Sequence, residues 1–462
     1  MPETIATLTA LPTPEQLEKI VPGYEAMLSS MLSFVLERGE RDGRYRFIDT
    51  KFDVRTGKDF YPVAADDMVF RSREIIYSWI QGMGLDALAG YLDWLGETDY
   101  LSPAKRGIMS GRVNNQLIRT IAAMEECRAN NDGRVYFCMT AAGTPLEIVA
   151  GGHIRPKEVL RPESNFSDLF YAHGLFRAAW KLSWGRKGGE ALEYFRRVLQ
   201  DIDAGRFHSD RPVFGSRGPK VVGSGMALEP LVAALAGIAE IGRSDPDPDW
   251  FSYGEKFIRR VMAVFVNQGK FAELHPYDFV AAVDGDGRPR RFGAAVIGNP
   301  GLSLRFIGEA VKCLRAMRDD NYGAGLIEEC IKVLPSLLFH CFERGFNPVA
   351  GGVCTACDWR SGRMLDSRMP GWILPETMRA AAGLLTFCSE PNTRRRLAAV
   401  IATASNAFAE KFINYEAGMM PYRERDAAGE VTAAVGIIPD VDPGYYCGLS
   451  LMDLVRILRK LP

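Results

Sequence analysis

The stretch NFSDLFYAHGLFRAAWKLSWGRKGGEALEYFRRVLQDID, residues 165–203, contains two helical segments with only Gly185, Arg186 and Lys187 between them. The first half, over 165–184, keeps an apolar character round most of its circumference (FRAAWKLSW), as a helix enclosed by other helices does. The second half runs over 188–203. A helical hairpin with so tight a turn sets its two helices antiparallel and adjacent.

Reading outward, the same unit recurs. Helical patterns cover about 13–38, 78–95, 103–131, 165–184, 188–203, 225–241, 249–267, 300–318, 323–344, 373–388, 392–414 and 444–460. The links between them alternate between long, near thirty residues, and short, as few as three. A two-helix unit repeated six times, with every long link on one face, predicts an all-α (α/α)6 barrel or toroid, with residues 1–462 as one domain. Links this long are uncommon in compact domains and are usually functional. Each even-numbered helix begins directly after a long link. Its unpaired N–H groups and positive dipole end then face the barrel mouth. Such a bowl suits a hydroxyl-rich ligand or a carboxylate.

Start signals support the reading. Asn299-Pro300 and Asp442-Pro443 each place a capping side chain before a first-turn proline. Ser78-x-x-Gln81 fits a capping box, and Ser224 an N-cap. The segments VYFCMT and PLEIVAGG within 132–164 predict a small β-hairpin, and Asp-Gly-Asp-Gly at 284–287 a turn. MALEPLVAALAGIAEI fits an inner helix, whereas GLSLRFIGEAVKCLRAM is more polar than an inner helix should be.

Composition excludes several classes. Apolar residues make up 47% and charged residues 24%, with 56 basic against 57 acidic residues and a net charge of −1. No basic stripe for nucleic acid follows from that balance. The N-terminal residues show neither a basic n-region nor an apolar h-region, and no run of eighteen apolar residues occurs, so neither a signal peptide nor a membrane span is expected. Nine scattered cysteines suggest a reduced, cytoplasmic setting. Cys354-x-x-Cys357 has no second pair for zinc and no βαβ context for thioredoxin-like chemistry. The Gly-rich GSRGPKVVGSG at 215–225 follows no strand, and no phosphate-loop, H-E-x-x-H or G-x-S-x-G motif occurs. Nothing in the chain calls for a metal or a cofactor. The expected form is a monomer or homodimer.

Four segments carry a resemblance. Trp79-Ile80-Gln81-Gly82 resembles the W-x-Q-G-R segment of the N-acylglucosamine 2-epimerase superfamily. Asp168 through Phe176 (DLFYAHGLF) resembles its D-x-x-Y-x-H/Q-A-F helix. Asn299-Pro300-Gly301-Leu302-Ser303-Leu304-Arg305 is similar to its N-P-G-H-x-x-E segment, and Gly351-Gly352 with Trp372 and Glu376 to its G-G … W-x-x-x-E pattern. The matches fall in order over about residues 70–380. The resemblance implies an (α/α)6 barrel acting on a monosaccharide or short glycan. It also exposes departures. Met83 stands at the family's arginine, Leu302 at its catalytic histidine and Arg305 at its glutamate. No histidine follows His340, so the second family histidine is missing too. A general base must titrate near the working pH, and leucine does not.

Candidate residues follow from the mouth geometry, each with a plain structural alternative. His173 lies two turns into an inner helix, as a proton carrier or as a satisfied wall residue. His275, in Glu273-Leu274-His275-Pro276-Tyr277-Asp278, lies in a long mouth-side link, as a catalyst or as a backbone-binding loop residue. Glu376 and Asp168 sit in first turns, as acid, base or anchor, or as dipole partners. Asp440 and Glu229 are weaker candidates, and Asp442 reads as an N-cap. His340 belongs to an outer helix. His153 and His208 are loop residues without an assigned role. Arg71, Arg73, Arg112, Arg305, Arg360 and Arg368 could reach the mouth, where a guanidinium matches a carboxylate or phosphate. Arg305 in place of a glutamate suggests an acidic sugar, or else an arginine paired with Asp168, Glu229 or Glu376. Trp79, Gln81, Tyr171, Trp372, Tyr445 and Tyr446 complete the expected binding set.

Three functions are compatible with this set. The first is a sugar isomerase or epimerase moving a proton beside a carbonyl carbon through His173 with His275 or Glu376. The second is a glycoside hydrolase or polysaccharide lyase with Asp168 and Glu376 as a carboxylate pair. The third is a non-catalytic glycan-binding protein.

Overall fold

The computed structural model describes residues 4–60, 71–149, 154–158, 160, 162–209, 228–245, 247–432 and 441–461. His153, the Ser224 cap, the Gly-rich segment 215–225 and Asp440 lie outside the described residues. After a short helical lead at Pro14–Leu17, the long helices are α1 (Val21–Arg41), α2 (Ser78–Glu97), α3 (Pro103–Ala129), α4 (Phe166–Lys181), α5 (Gly185–Asp203), α6 (Leu228–Ser244), α7 (Asp249–Phe265), α8 (Pro300–Asp319), α9 (Ala324–Gly345), α10 (Ile373–Leu385), α11 (Pro391–Ala407) and α12 (Cys447–Leu458). Each of the six even helices packs against the next even helix, and α12 closes on α2. Each odd helix lies outside this ring against its hairpin partner, α1 pairing with α12. This is the (α/α)6 toroid that the alternating links predict.

The two rings differ as the patterning requires. Every residue of α10 is buried, and so is α4 from Phe166 to Ala179. In α5 the buried positions are Gly188, Ala191, Tyr194, Phe195, Val198, Leu199, Asp201 and Ile202, a single face. Among the described residues no helix is long and apolar enough to cross a membrane.

Local signals account for most starts. The Asn299 side chain accepts from Leu302 N–H at 2.9 Å, with Pro300 in the first turn. Asn165 and Asp168 form a reciprocal capping box on α4. The carboxylate of Asp442 accepts from the amides of Gly444, Tyr445, Tyr446 and Cys447, and α12 starts only at Cys447. Ser78 does not form the expected box. Its hydroxyl donates to the Tyr136 carbonyl at 2.6 Å, because a strand from Ile75 to Tyr77 runs straight into α2.

Short antiparallel strands fill the long links. The predicted hairpin is Cys138–Thr140 with Pro145–Ile148, extended to four strands by Ile75–Tyr77 and Ile154–Pro156. A second four-stranded sheet runs Met364–Asp366, Ala356–Asp358, Ala295–Gly298, Arg291–Phe292. Strands deliver the chain directly to the N-termini of α2 and α8, which fixes what the mouth presents.

The polar helix α8 belongs inside after all. Arg305, Glu309 and Lys312, one turn apart, are all buried. Below the mouth each inner helix gives one charge to a ring: Asp86, Arg177, Glu240, Lys312, Arg379 and Asp453. Arg177 reaches Asp86 at 3.2 Å and Glu240 at 2.6 Å. Lys312 reaches Glu240 at 2.5 Å and Asp453 at 3.6 Å, and Arg379 lies 3.9 Å from Asp453. Three positive and three negative groups compensate one another, the condition for keeping charge out of water. The sequence shows these as breaks in apolar helices. In the fold they plug the barrel axis.

Candidate functional site

Above this charged plug the beginnings of α2, α6, α8 and α12, with Trp372 just before α10, converge on a cavity of about 430 Å³. Leu302 and Arg305 of α8 line it. Arg305 is only 4% exposed. Its guanidinium lies 5.1 Å from the Tyr446 ring centre, and its Nη2 stands 3.4 Å from the Tyr445 hydroxyl. Trp79 from α2, Trp372 just before α10 and Tyr446 just before α12 supply flat walls. The Trp372 and Tyr446 rings sit 5.3 Å apart. Trp79 is held edge-on by Phe137 and Phe170 and at a tilt by Phe166, which fixes its plane.

Arginines and carboxylates from the long links form the rim. Arg55 pairs with Asp53 at 2.9 Å, and Arg368 pairs with Asp366. Arg71 lies over the Phe60 ring, its guanidinium 4.9 Å from the ring centre. Glu424, on a strand paired with Met369–Pro370, accepts from the Thr432 hydroxyl at 3.2 Å and has Arg368 at 4.0 Å. Burial raises its carboxyl above the usual glutamate range, against the pull of Arg368. Glu229, in the first turn of α6, also lines the cavity and is exposed. Asp442 lines it as well, but its oxygens serve the α12 amides.

Of the candidate set, Trp79, Arg305, Trp372 and Tyr446 line the cavity, as do Arg71, Arg368, Glu229 and Asp442. Several others do not. His173 lies in the wall between helices: its Nδ1 is 3.4 Å from Asp86, and its ring is 6.0 Å from Phe195 of the outer helix α5. Burial pushes its imidazole below the usual histidine range despite Asp86. Glu376 is buried beneath the floor against Arg379, with Arg305 Nε at 4.0 Å. Burial raises its carboxyl. Asp168 is fully buried, caps α4, accepts from Tyr194 and pairs with Arg134 at 3.2 Å. His275 is an exposed loop residue away from the cavity lining, and its backbone N–H donates to Asp278. Gln81 clamps the backbone of Ile48 from both sides, at 2.8 and 3.1 Å. Tyr171 points outward and donates to Glu125 of α3. Arg73 pairs with Asp49 and lies over Tyr45.

Of the remaining candidates, Arg112 joins α3 to Glu40 of α1, and Arg360 donates to the Ala294 carbonyl. Tyr445 meets Arg305 from below. His340 bonds Asp278 at 2.7 Å and stacks on Trp359, and His208 bridges to Asn165.

Helical periodicity tells which residues face inward but not how deep along the axis they sit. His173 and Glu376 face inward yet lie below or beside the cavity. Glu424, Asp53, Arg55 and Arg423 come from the long links, where strands of only two residues, Phe52–Asp53 and Glu424–Arg425, are too short to show a periodicity. The one signal for them is the charged run Arg423-Glu424-Arg425 in a mouth-side link. Among the described residues no histidine lines the cavity, and no group of three or more His, Cys, Asp or Glu could hold a metal ion.

Ring, mouth and cavity together define an (α/α)6 toroid with a single-ended bowl. Solved structures share this fold across nearly the whole chain. A sugar epimerase from a ruminal bacterium matches with TM-score 0.67 and 11% identity, over 96% of this chain and 99% of that one. A cellobiose 2-epimerase from Spirochaeta thermophila matches with TM-score 0.63 and 14% identity, over 96% and 97%. A D-mannose isomerase matches with TM-score 0.63 and 10% identity, over 94% and 97%. No protein-family model and no curated protein matches the chain. At these identities the likeness establishes the fold. The position corresponding to the resembled family's histidine, Leu302, does line the cavity.

Proposed function

We propose that the chain is a carbohydrate-active enzyme, a sugar isomerase or epimerase in the broad sense, that moves a proton beside the carbonyl carbon of an opened sugar. The mouth cavity carries this reading. It sets flat aromatic faces, arginines and a carboxyl of raised proton affinity round one space of about 430 Å³ at the helix N-termini. Aromatic faces pack against the C–H faces of a sugar, and arginines bind its oxygens. The epimerases and the isomerase that share the fold support the same class.

Glu424 takes the role that the sequence offers to His173. Its carboxylate removes the C2 proton, and the electron pair moves onto the carbonyl oxygen to give an enediolate. The role of holding that charge falls in this reading to Arg368, 4.0 Å from Glu424. Transfer of the O2 hydroxyl proton to O1 of the enediolate, followed by return of the proton from Glu424 to C1 as C2=O forms, completes an isomerisation. Epimerisation needs delivery to the other face of C2, for which Glu229 is the lining carboxyl on a different wall. The test is deuterium incorporation at C2 of a panel of aldoses in D2O, followed by NMR. Wild type is expected to exchange at least one, and Glu424→Gln to lose about 10²–10⁴-fold of that rate. Undiminished exchange removes Glu424 from the mechanism.

One observation favours a second reading, hydrolysis or elimination at a glycosidic bond. The acid–base groups on the cavity are carboxylates, the equipment of glycosidases. Release of reducing ends from a disaccharide, with no C2 exchange, would select it.

A further inference from the structure

We infer that Arg305 forms an anion subsite on the cavity floor, so that the sugar bound there carries a carboxylate or a phosphate ester. The inference deepens the reading that the cavity binds a sugar, and rests on it.

Arg305 lines the cavity while its side chain is only 5% exposed. A buried guanidinium has five N–H donors to satisfy. Here Nε has no hydrogen-bond partner. Nη2 makes one long contact, 3.4 Å to the Tyr445 hydroxyl. The nearest carboxylates are Glu309 at 3.9 Å and Glu376 at 4.0 Å, beyond hydrogen-bond reach. Both are already engaged by Arg379, which lies 3.0 Å from Glu309 and closer still to Glu376. Arg305 is therefore held in place by charge below and by the Tyr446 ring beside it, with donors still to spend.

Two of the other lining arginines differ. Arg55 and Arg368 sit on the rim and are matched by Asp53 and Asp366. Helix α8 adds to the field at the floor. It is a twenty-residue helix, and Arg305 lies in its second turn, close to its positive end. Unmet buried donors are costly and are normally satisfied. Nε itself is sealed from the cavity on the side of Glu309 and Glu376, so an anionic oxygen entering the cavity is met by the terminal Nη donors with charge-assisted bonds, which suit a planar carboxylate.

The test compares four probes by calorimetry: D-glucuronate, its neutral isostere D-glucuronamide, D-glucose 6-phosphate and D-glucose. Wild type is expected to bind glucuronate over glucuronamide, or the phosphate ester over glucose, by about ten- to a hundredfold. The pair that shows the preference tells carboxylate from phosphate. Arg305→Met is expected to erase the preference, weakening the anionic member of the pair at least about tenfold more than its neutral partner. Equal binding within both pairs by wild type overturns the subsite and leaves the sugar site standing. A preference that survives Arg305→Met also overturns it. Binding of none of the four removes the sugar reading, and the subsite with it. The wild-type comparison decides the matter even where Arg305→Met fails to fold.

Discussion

Replacing Gly174 by alanine should separate two helices of the inner ring. Gly82 of α2 and Gly174 of α4 face each other with nothing between their backbones. A Cβ on Gly174 would lie 2.1 Å from the Gly82 carbonyl oxygen, where ordinary contact begins at 3.4 Å. A Cβ on Gly82 would lie 2.6 Å from the Phe170 carbonyl carbon and the Tyr171 nitrogen. The obstructing atoms are backbone held in helices, so no side-chain rotation relieves the overlap. The helices must part by about 1.3 Å, and overpacking of a close-packed core costs about 1–3 kcal/mol. The rigid obstacle puts the cost at the upper end. Alanine returns about 1 kcal/mol through its better helix propensity. Net destabilisation of Gly174→Ala is then about 2 kcal/mol.

Gly189 of α5, in the same hairpin, is the control. A Cβ there meets nothing within 4 Å, so Gly189→Ala should stabilise by about 0.5–1 kcal/mol. Equilibrium urea unfolding of both variants reads the two signs. A Gly174→Ala protein as stable as wild type, or a shift of both variants in one direction, would refute the backbone contact between α2 and α4. That contact also sets where Trp79, three residues before Gly82, meets the cavity.

Glu240 tests the charged plug. Arg177 and Lys312 hold its carboxyl well below the usual glutamate range. A depressed folded-state value stabilises the protein above the unfolded value near 4.5 and loses that contribution as the pH falls towards the folded value. Glu240→Gln should therefore cost roughly 3–5 kcal/mol at neutral pH, with the gap to wild type narrowing below pH 4.5 in denaturant titrations. His173→Ala should lower the unfolding midpoint but leave turnover per folded molecule within a few-fold of wild type, because the imidazole lies in the wall; loss of turnover without loss of stability would put it back in the mechanism. If Glu424 is the base, it must be ionised to act. Its raised value then makes turnover climb with pH above the ordinary glutamate range and level off, and Glu424→Gln should abolish that limb of the profile.

The fold was readable because link length survives any error in helix ends. The tight turn expected at residues 185–187 falls at 182–184, between Lys181 and Gly185, and its three-residue length makes two antiparallel helices meet there all the same. The prolines after Asn299 and Asp442 mark the loop ends beside the mouth. Depth was not readable. Arg305, Glu309 and Lys312 share one helix face in the sequence, yet only Arg305 touches the cavity, while Lys312 belongs to the plug. Asp168 looks like a mouth carboxylate until Asn165, Arg134 and Tyr194 claim its oxygens. Those partners lie 3, 34 and 26 residues away, and only the last two needed the fold to be found. Gln81 was misplaced for a similar reason: Ile48, its partner, belongs to a loop that no periodic pattern locates.

The central claim is that a sugar occupies the mouth cavity, and blocking that cavity tests it most directly. Leu302 lines the floor and is only half-buried, so a tryptophan there fills the bowl without entering the core. Thermal unfolding with a panel of monosaccharides, sugar acids and disaccharides should show stabilisation of wild type by at least one of them, by mass action. Leu302→Trp should unfold at an unchanged temperature without sugar and show no shift with it. A sugar-induced shift that persists in Leu302→Trp, or a wild type that no sugar stabilises, would contradict the assignment of this cavity.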